Sequence, residues 1–516
     1  MMSIVATETS VLTFISVPGI AYRGDWTFLK LSFGYLFGRM IVSYFILPLY
    51  FDRSIISIYE ILGSKFGQTI QRFSSLIFII TRLLADGVRF FATALVIQFI
   101  TGWSMEGIII IIGLVTLVYT ILGGIRTVIN IDSFQFVLYI ACALISIIYI
   151  VADMGVYDTS KSLLESFENG KLNIFSSQFD LTNPYNFINA FIGGMFLSLA
   201  SHGVDFMMVQ RVLSTNGLSD ARKALIGSGF FVIIQFMLFL LLGSLIWSYY
   251  SCVVIEPDRE YAHLIVDALP IGLRGFLVAG VLSAAMSTIS SSINSLSSTF
   301  VTDWLRSTSL NTSKLVSLFF SLILIGIAWS FDGSSDIIIV IGLKIASYTY
   351  GILLSLYILY IIDRKYSETS LIFGHLIGIF LLFCISEQLV WTWIIPVSLI
   401  IHISMVHIIE FMYRLLNIKR GIKLFLSIIV LICIFFALPS QPNSTSYTKI
   451  HKKYSKSNCI LSGLDALNSF DFEVLKDKNV ALIVNHTSKN KDGDSIVDLM
   501  FDAGVDIKVI MTPEHG

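Results

Sequence analysis

Two stretches of this 516-residue chain gather oxygen-bearing side chains inside otherwise apolar runs. The first reads Ala6-Thr7-Glu8-Thr9-Ser10, continues through Phe14-Ile15-Ser16 and meets Val17-Pro18-Gly19. A helix broken here frees backbone carbonyls beside hydroxyls, and such a donor set suits a hard monovalent cation. The same residues would also make an ordinary proline-kinked helix whose hydroxyls bond their own backbone. The second stretch, Ser283-Ala284-Ala285-Met286-Ser287-Thr288, runs on through Ser290-Ser291-Ser292-Ile293-Asn294-Ser295. Small residues let neighbouring helices approach closely, so tight packing explains this stripe as well as an ion site does.

The elements that carry these residues are membrane spans. Hydrophobic residues make up 55% of the chain and charged ones 13%, with a mean hydropathy of +0.81. Soluble domains carry about 25% charged residues, so lipid must be the solvent for most of this apolar surface. A net charge of −1 excludes a strongly basic nucleic-acid footprint. The five cysteines show no CxxC spacing and read as small buried thiols, with no metal expected beyond a cation at the hydroxyl-rich stretches. Met1–Ser16 lacks the basic start of a cleavable signal peptide, so insertion is expected to use internal spans. Apolar runs near the required length of about 20 residues recur as far as Leu438, about thirteen in all. The first covers Ser3–Ala21, the sixth Phe187–Val209, the eighth Gly272–Phe300, the tenth Ile337–Ile362 and the last Leu424–Leu438.

Lys and Arg mark the cytoplasmic loops, and with Met1 inside one orientation satisfies nearly every connection. Arg53, Lys65 and Arg72, then Arg211, Arg222 and Lys223, then Arg414, Lys419, Arg420 and Lys423 fall on one side. Gly102-Trp103-Ser104 and Phe331–Asp336 on the other side have none. The expectation is a multi-pass protein of the inner, cytoplasmic membrane whose C-terminus is extracytoplasmic. After the membrane domain (1–438) comes a Pro/Ser/Asn-rich linker (439–459), then a soluble α/β pattern (460–516) with strands at Val480–Val484 and Val505–Met511 flanking a helix at Ser495–Phe501.

Several blocks resemble the sodium:solute symporter family. They include Ala-Thr-Glu-Thr-Ser with Val-Pro-Gly, Gly34-Tyr35-Leu36-Phe37-Gly38-Arg39, and Arg82-Leu83-Leu84-Ala85-Asp86-Gly87-Val88-Arg89. Gly123-Gly124-Ile125-Arg126-Thr127-Val128 with Asp132 and Gln135, Gly203-Val204-Asp205, and Ser287-Thr288 through Thr302-Asp303 follow in family order. The resemblance covers Ser3 to about Ile362. It implies an all-α polytopic membrane protein with a leucine-transporter-like core, five helices repeated with inverted topology, plus extra C-terminal helices. It also implies a sodium site at Ala6, Thr9, Ala284, Ser287 and Thr288, through carbonyls of the first three and hydroxyls of the last two. Glu8 matches a position where some members carry a sodium-linked acid, or it pairs with a cation such as Arg82 or Lys344. The solute cavity would be lined by Ser10, Thr13, Arg82, His202, Asp205 and Lys344, where a cation suits a carboxylate-bearing solute. Most members have one further helix ahead of the first core helix, so the membrane domain is expected to be N-terminally truncated.

The tail resembles the opening of the exo-β-N-acetylmuramidase (NamZ-type) family, through Gly463-Leu464-Asp465, Asn479 to Thr487 and Thr512-Pro513-Glu514-His515-Gly516. That resemblance implies Glu514, with His515 beside it, as catalytic in an incomplete domain, and leaves enzymatic activity undecided. Taken together, the expectation is a sodium-coupled importer of a small organic solute such as N-acetylmuramic acid. The alternative is a membrane-anchored peptidoglycan glycosidase whose membrane part is anchor or sensor. The expected partners are sodium, solute and the lipid bilayer, with no nucleic acid and no oligomeric state implied.

Overall fold

The computed structural model describes residues 1–415 apart from 10, 53–54, 176–181, 251–252, 254 and 332–337, together with 480–484, 488–489, 494–511 and three isolated positions of the tail. Among the described residues, nine helices are long and apolar enough to cross a bilayer, and two bent pairs complete one further span each. The bent pairs are Met2–Glu8 with Val11–Arg23, the first span, and Phe187–Gly203 with Phe206–Leu213, the sixth. Each pair bends by 63°. The second to fifth spans are Thr27–Phe51, Gln68–Thr101, Met105–Gly124 and Thr127–Met154. The seventh to ninth are Leu218–Tyr249, Ile271–Leu305 and Leu310–Ser330, and Ile338–Ile361 is an apolar helix at the tenth position. Glu368–Ser386 and Trp391–Arg414 are the eleventh and twelfth. Broken helices thus stand first in each set of five, as the inverted-repeat expectation requires. The expected span Leu424–Leu438 lies outside the described residues.

Burial separates the core from the rim. In the most apolar stretch of the eighth span 67% of residues are buried against protein, whereas the ninth and twelfth bury 33%. The hydroxyl-rich eighth span is therefore a central helix, and the aliphatic faces of the peripheral ones are left for lipid. The second and sixth spans meet most intimately: any side chain at Gly34 or Gly38 would strike the backbone at Phe191, Met195 or Leu199. Where the fourth span meets the fifth, Gly124 adopts φ 60°, ψ −170°, which a side chain would oppose, and the chain turns there within a continuous helical stretch.

The tail forms a separate small unit. Val480–Ile483 and Ile507–Met511 pair in parallel, joined through a helix at Ile496–Asp502. Phe472, Leu482, Met500 and Val505 form its buried cluster.

Candidate functional site

The first break comes where Thr9 leaves the helix in an extended conformation, φ −80° and ψ 96°. The last carbonyls of a helix have no intrahelical partner, so the break leaves those of the final turn open to another ligand. The short helix before the break packs between the fifth and eighth spans and the second half of the sixth. The fifth span carries a fully buried carboxylate, Asp132, to which the other three segments bring polar groups. Its Oδ1 accepts from Ser287 Oγ at 2.8 Å. Its Oδ2 accepts from Arg211 Nη2 at 3.0 Å, Ser3 Oγ at 3.2 Å and Thr7 Oγ1 at 3.4 Å. Arg211 also bonds Ser291 Oγ and donates to Met207 O at 2.7 Å.

Ala6, Thr9, Ala284, Ser287 and Thr288 are all buried, and the structure brings their two helices together around Asp132. Thr288 Oγ1 donates to Ala284 O at 3.4 Å, and Ser287 spends its one proton on Asp132, so both hydroxyl oxygens keep lone pairs. Thr9 turns its hydroxyl the other way, to Gln235 Oε1 of the seventh span at 2.8 Å, where Tyr139 also donates at 2.9 Å. Its carbonyl, not its side chain, is what the break leaves over. Arg211 pairs with the carboxylate at 3.0 Å, and the carbonyls and hydroxyls beside it are the hard oxygen donors that an alkali cation takes.

The second break is built differently. Asp205 ends the first half of the sixth span and caps the next half by accepting from Met207 N at 2.9 Å. Its Oδ2 lies 3.1 Å from Arg82 Nε and accepts from Tyr350 OH at 2.8 Å, while Arg82 Nη2 donates to Tyr350 OH at 2.6 Å. On the third span, Asp86 Oδ1 sits 3.6 Å from Arg82 Nη1 and 2.7 Å from Arg89 Nη1, and Asp86 Oδ2 accepts from Ser292. Two arginines and two aspartates leave the cluster with no net charge. Arg82 is 1% exposed and held by both acids, whereas Arg89 is 16% exposed and holds one. The Nε of Arg89 has no hydrogen-bond partner.

Glu8 pairs with Arg39 of the second span, and Arg39 Nη1 donates to Ser228 Oγ. This corrects the alternative pairing with Arg82, which is held by Asp86 and Asp205 instead. His202 lies buried with Nε2 3.8 Å from Glu8 Oε2 and Nδ1 2.9 Å from Ser201 Oγ, so it belongs to the Glu8 cluster and not to that of Asp205. Thr13 is buried just after the break. Ser10, Glu514 and His515 lie outside the described residues, as does the side chain of Lys344. Sequence reasoning missed Arg211, Gln235 and Tyr350 as polar partners, and it gave Asp132 only a motif position. The signal for Asp132 was present as an acid at the sixth residue of the fifth span.

A helical bundle with two broken spans beside an oxygen-lined, carboxylate-anchored cluster defines an inverted-repeat membrane transporter. The family model for sodium:solute symporters matches residues 1–378, and the chain belongs to the sodium:solute symporter family. Sodium is the coupling ion that defines that family. A putative sodium-dependent multivitamin transporter of Drosophila melanogaster is 29% identical over 74% of the chain and 66% of its own length. The sodium/sialic acid symporter NanT of Aliivibrio fischeri is 28% identical over 60% of the chain and 63% of its own length. The chain thus spans just under two thirds of these relatives. A solved structure of a substrate-bound, outward-open Na+-coupled sialic acid symporter superposes with a TM-score of 0.70 at 24% identity, covering 79% of this chain and 88% of the other, which shows the shared fold. The family match ends well before the tail, and the comparisons give no support to its muramidase resemblance or to a glycosidase.

Proposed function

We propose that this chain is the transport core of a sodium-coupled importer of a small carboxylated solute, with an N-acetylated acidic sugar such as N-acetylmuramic acid as the solute to test first. The observation that carries the sodium reading is the Asp132–Ser287 bond, which brings the eighth span to the carboxylate that the helix ending at Thr9 also reaches through Ser3. Carbonyls of Ala6, Thr9 and Ala284, with the hydroxyls of Ser287 and Thr288, complete the ion's shell. An ion there ties the first span to the eighth, so it binds better to the state in which those helices lie close together. Differential affinity of two states for ion and solute is the whole of the coupling.

Arg89 supports the carboxylated solute. It is the arginine of its cluster that is partly exposed and paired with one acid, and among the described residues its Nε has no hydrogen-bond partner, so a carboxylate would complete its hydrogen bonds. The NanT relative is named for sialic acid, itself a carboxylated amino sugar. The loop charges favour an inner-membrane location with the tail outside. The test is uptake into proteoliposomes driven by an inward sodium gradient. Sodium-dependent uptake of N-acetylmuramic acid or sialic acid, lost in Arg89→Gln, supports the reading. Uptake of proline with none of acidic sugars removes the solute assignment, and uptake indifferent to sodium removes the coupling.

A further inference from the structure

A groove of about 630 Å³ opens between the second and seventh spans, away from the ion and solute clusters. It lies at the end of both helices that the loop charges assign to the cytoplasm. Tyr44, Ser219, Arg222, Lys223, Ile226 and Phe230 line it. Arg222, Ile226 and Phe230 recur every fourth residue and so form one stripe along the seventh span. The stripe begins in a cation and continues as apolar surface, with Phe230 51% exposed and Tyr44 59% exposed across from it.

The cation is held in place. Arg222 Nε donates to Ser43 O at 2.9 Å, and its guanidinium lies over the Tyr44 ring, 5.2 Å from the centroid. These contacts fix the plane of the group and leave its terminal nitrogens as donors. Lys223 is exposed beside it. Among the described residues neither side chain forms an ion pair, although eleven other Lys, Arg and His side chains do. Both helices that form the walls are apolar enough to span a bilayer, so an acyl chain can reach the groove from the membrane.

We propose that this groove binds an anionic membrane phospholipid, with the phosphodiester on Arg222 and Lys223 and an acyl chain along Ile226, Phe230 and Tyr44. A zwitterionic headgroup brings its own cation next to two unneutralised ones, while an anionic headgroup does not. Each basic side chain near the surface of an anionic bilayer adds about 1 kcal/mol, so two of them give a preference of roughly tenfold or more.

Native mass spectrometry of the full chain tests this, with phosphatidylglycerol and phosphatidylcholine of matched acyl chains offered in competition. The expected result is about tenfold preferential retention of the anionic lipid. Arg222→Gln with Lys223→Gln abolishes the preference while the melting temperature in phosphatidylcholine stays unchanged. Lys223→Gln alone, at an exposed position, reduces the preference and guards against a double variant that fails to fold. Equal retention of both lipids by the wild type, or the same preference in the double variant, overturns the proposal. So does retention of soluble glycerophosphate as strong as that of the lipid, which would mark a free-phosphoester site, or a dimer that the variants dissolve, which would mark a second copy in the groove. The readout involves neither sodium nor uptake, so its failure is independent of any failure of transport.

Discussion

The first and sixth spans bend by the same 63°, yet the two breaks are chemically opposite. At the first, Thr9 sends its hydroxyl to the seventh span, and the oxygens that remain belong to the backbone and to a neighbouring helix. At the sixth, Asp205 caps the following half-helix and meets Arg82 and Tyr350 in a closed triangle. A broken helix is thus not in itself a binding site. What makes one is oxygen left over, and the sixth break has spent the carbonyls of Gly203 and Val204 on the hydroxyls of Tyr50 and Tyr59.

The sharpest way to break this comparison is Asp205→Ala. It strips Arg82, 1% exposed, of the closer of its two acids and uncaps the half-helix. Removing one partner of a buried ion pair costs about 3–5 kcal/mol, so the variant should fail to accumulate as folded protein. A monodisperse, folded Asp205→Ala protein that has lost only sodium activation would show the sixth break to be the ion site instead. Next in size is Ser287→Ala with Thr288→Ala. Two ligating hydroxyls are lost while helix and packing remain, so sodium half-activation should rise about tenfold or more, and sodium should no longer raise the melting temperature. The melting temperature without sodium should fall as well, because Asp132 loses a hydrogen bond worth about 1.5–3 kcal/mol. Unchanged sodium activation removes the assignment.

Glu8→Gln tests the border between the two kinds of chemistry. Glu8 stands one residue before the first break but is held by Arg39, as Asp205 is held by Arg82. Neutralising it weakens a hydrogen bond to a charged group, worth about 1.5–3 kcal/mol. The expected outcome is a lower melting temperature with sodium half-activation little changed. A variant of wild-type stability whose sodium half-activation rises as far as that of the Ser287/Thr288 pair would make Glu8 a sodium-linked acid.

These two clusters also divide what the sequence could reveal from what it could not. The first break was legible because hydroxyls, a proline and a glycine crowd into one apolar run, and the eighth-span partner was legible as a serine stripe. The second break was not foreseen, since Phe187–Val209 reads as one apolar run and Gly203-Val204-Asp205 interrupts it only by a capping aspartate. Pairings such as Glu8 with Arg39 or Arg211 with Asp132 join residues 31 and 79 positions apart. Local spacing holds no information about which distant helix supplies the counter-charge; only the packing of the bundle decides it.

The smallest effect is the most discriminating for the first break. Thr9→Val keeps the shape of the side chain and leaves the carbonyl where it is, removing only the hydroxyl that Gln235 accepts at 2.8 Å. Gln235 Oε1 retains its second donor, Tyr139 at 2.9 Å, so no buried acceptor is orphaned. The cost should then be that of one neutral hydrogen bond, about 0.5–1.5 kcal/mol, seen as a small drop in melting temperature. If Thr9 serves the ion through its backbone, sodium half-activation should stay within about twofold of wild type, far below the change at Ser287 and Thr288 on the same free-energy scale. A tenfold loss of sodium affinity would mean that the hydroxyl leaves Gln235 to ligate the ion, and the first break would then owe its chemistry to its side chains, as the sixth does.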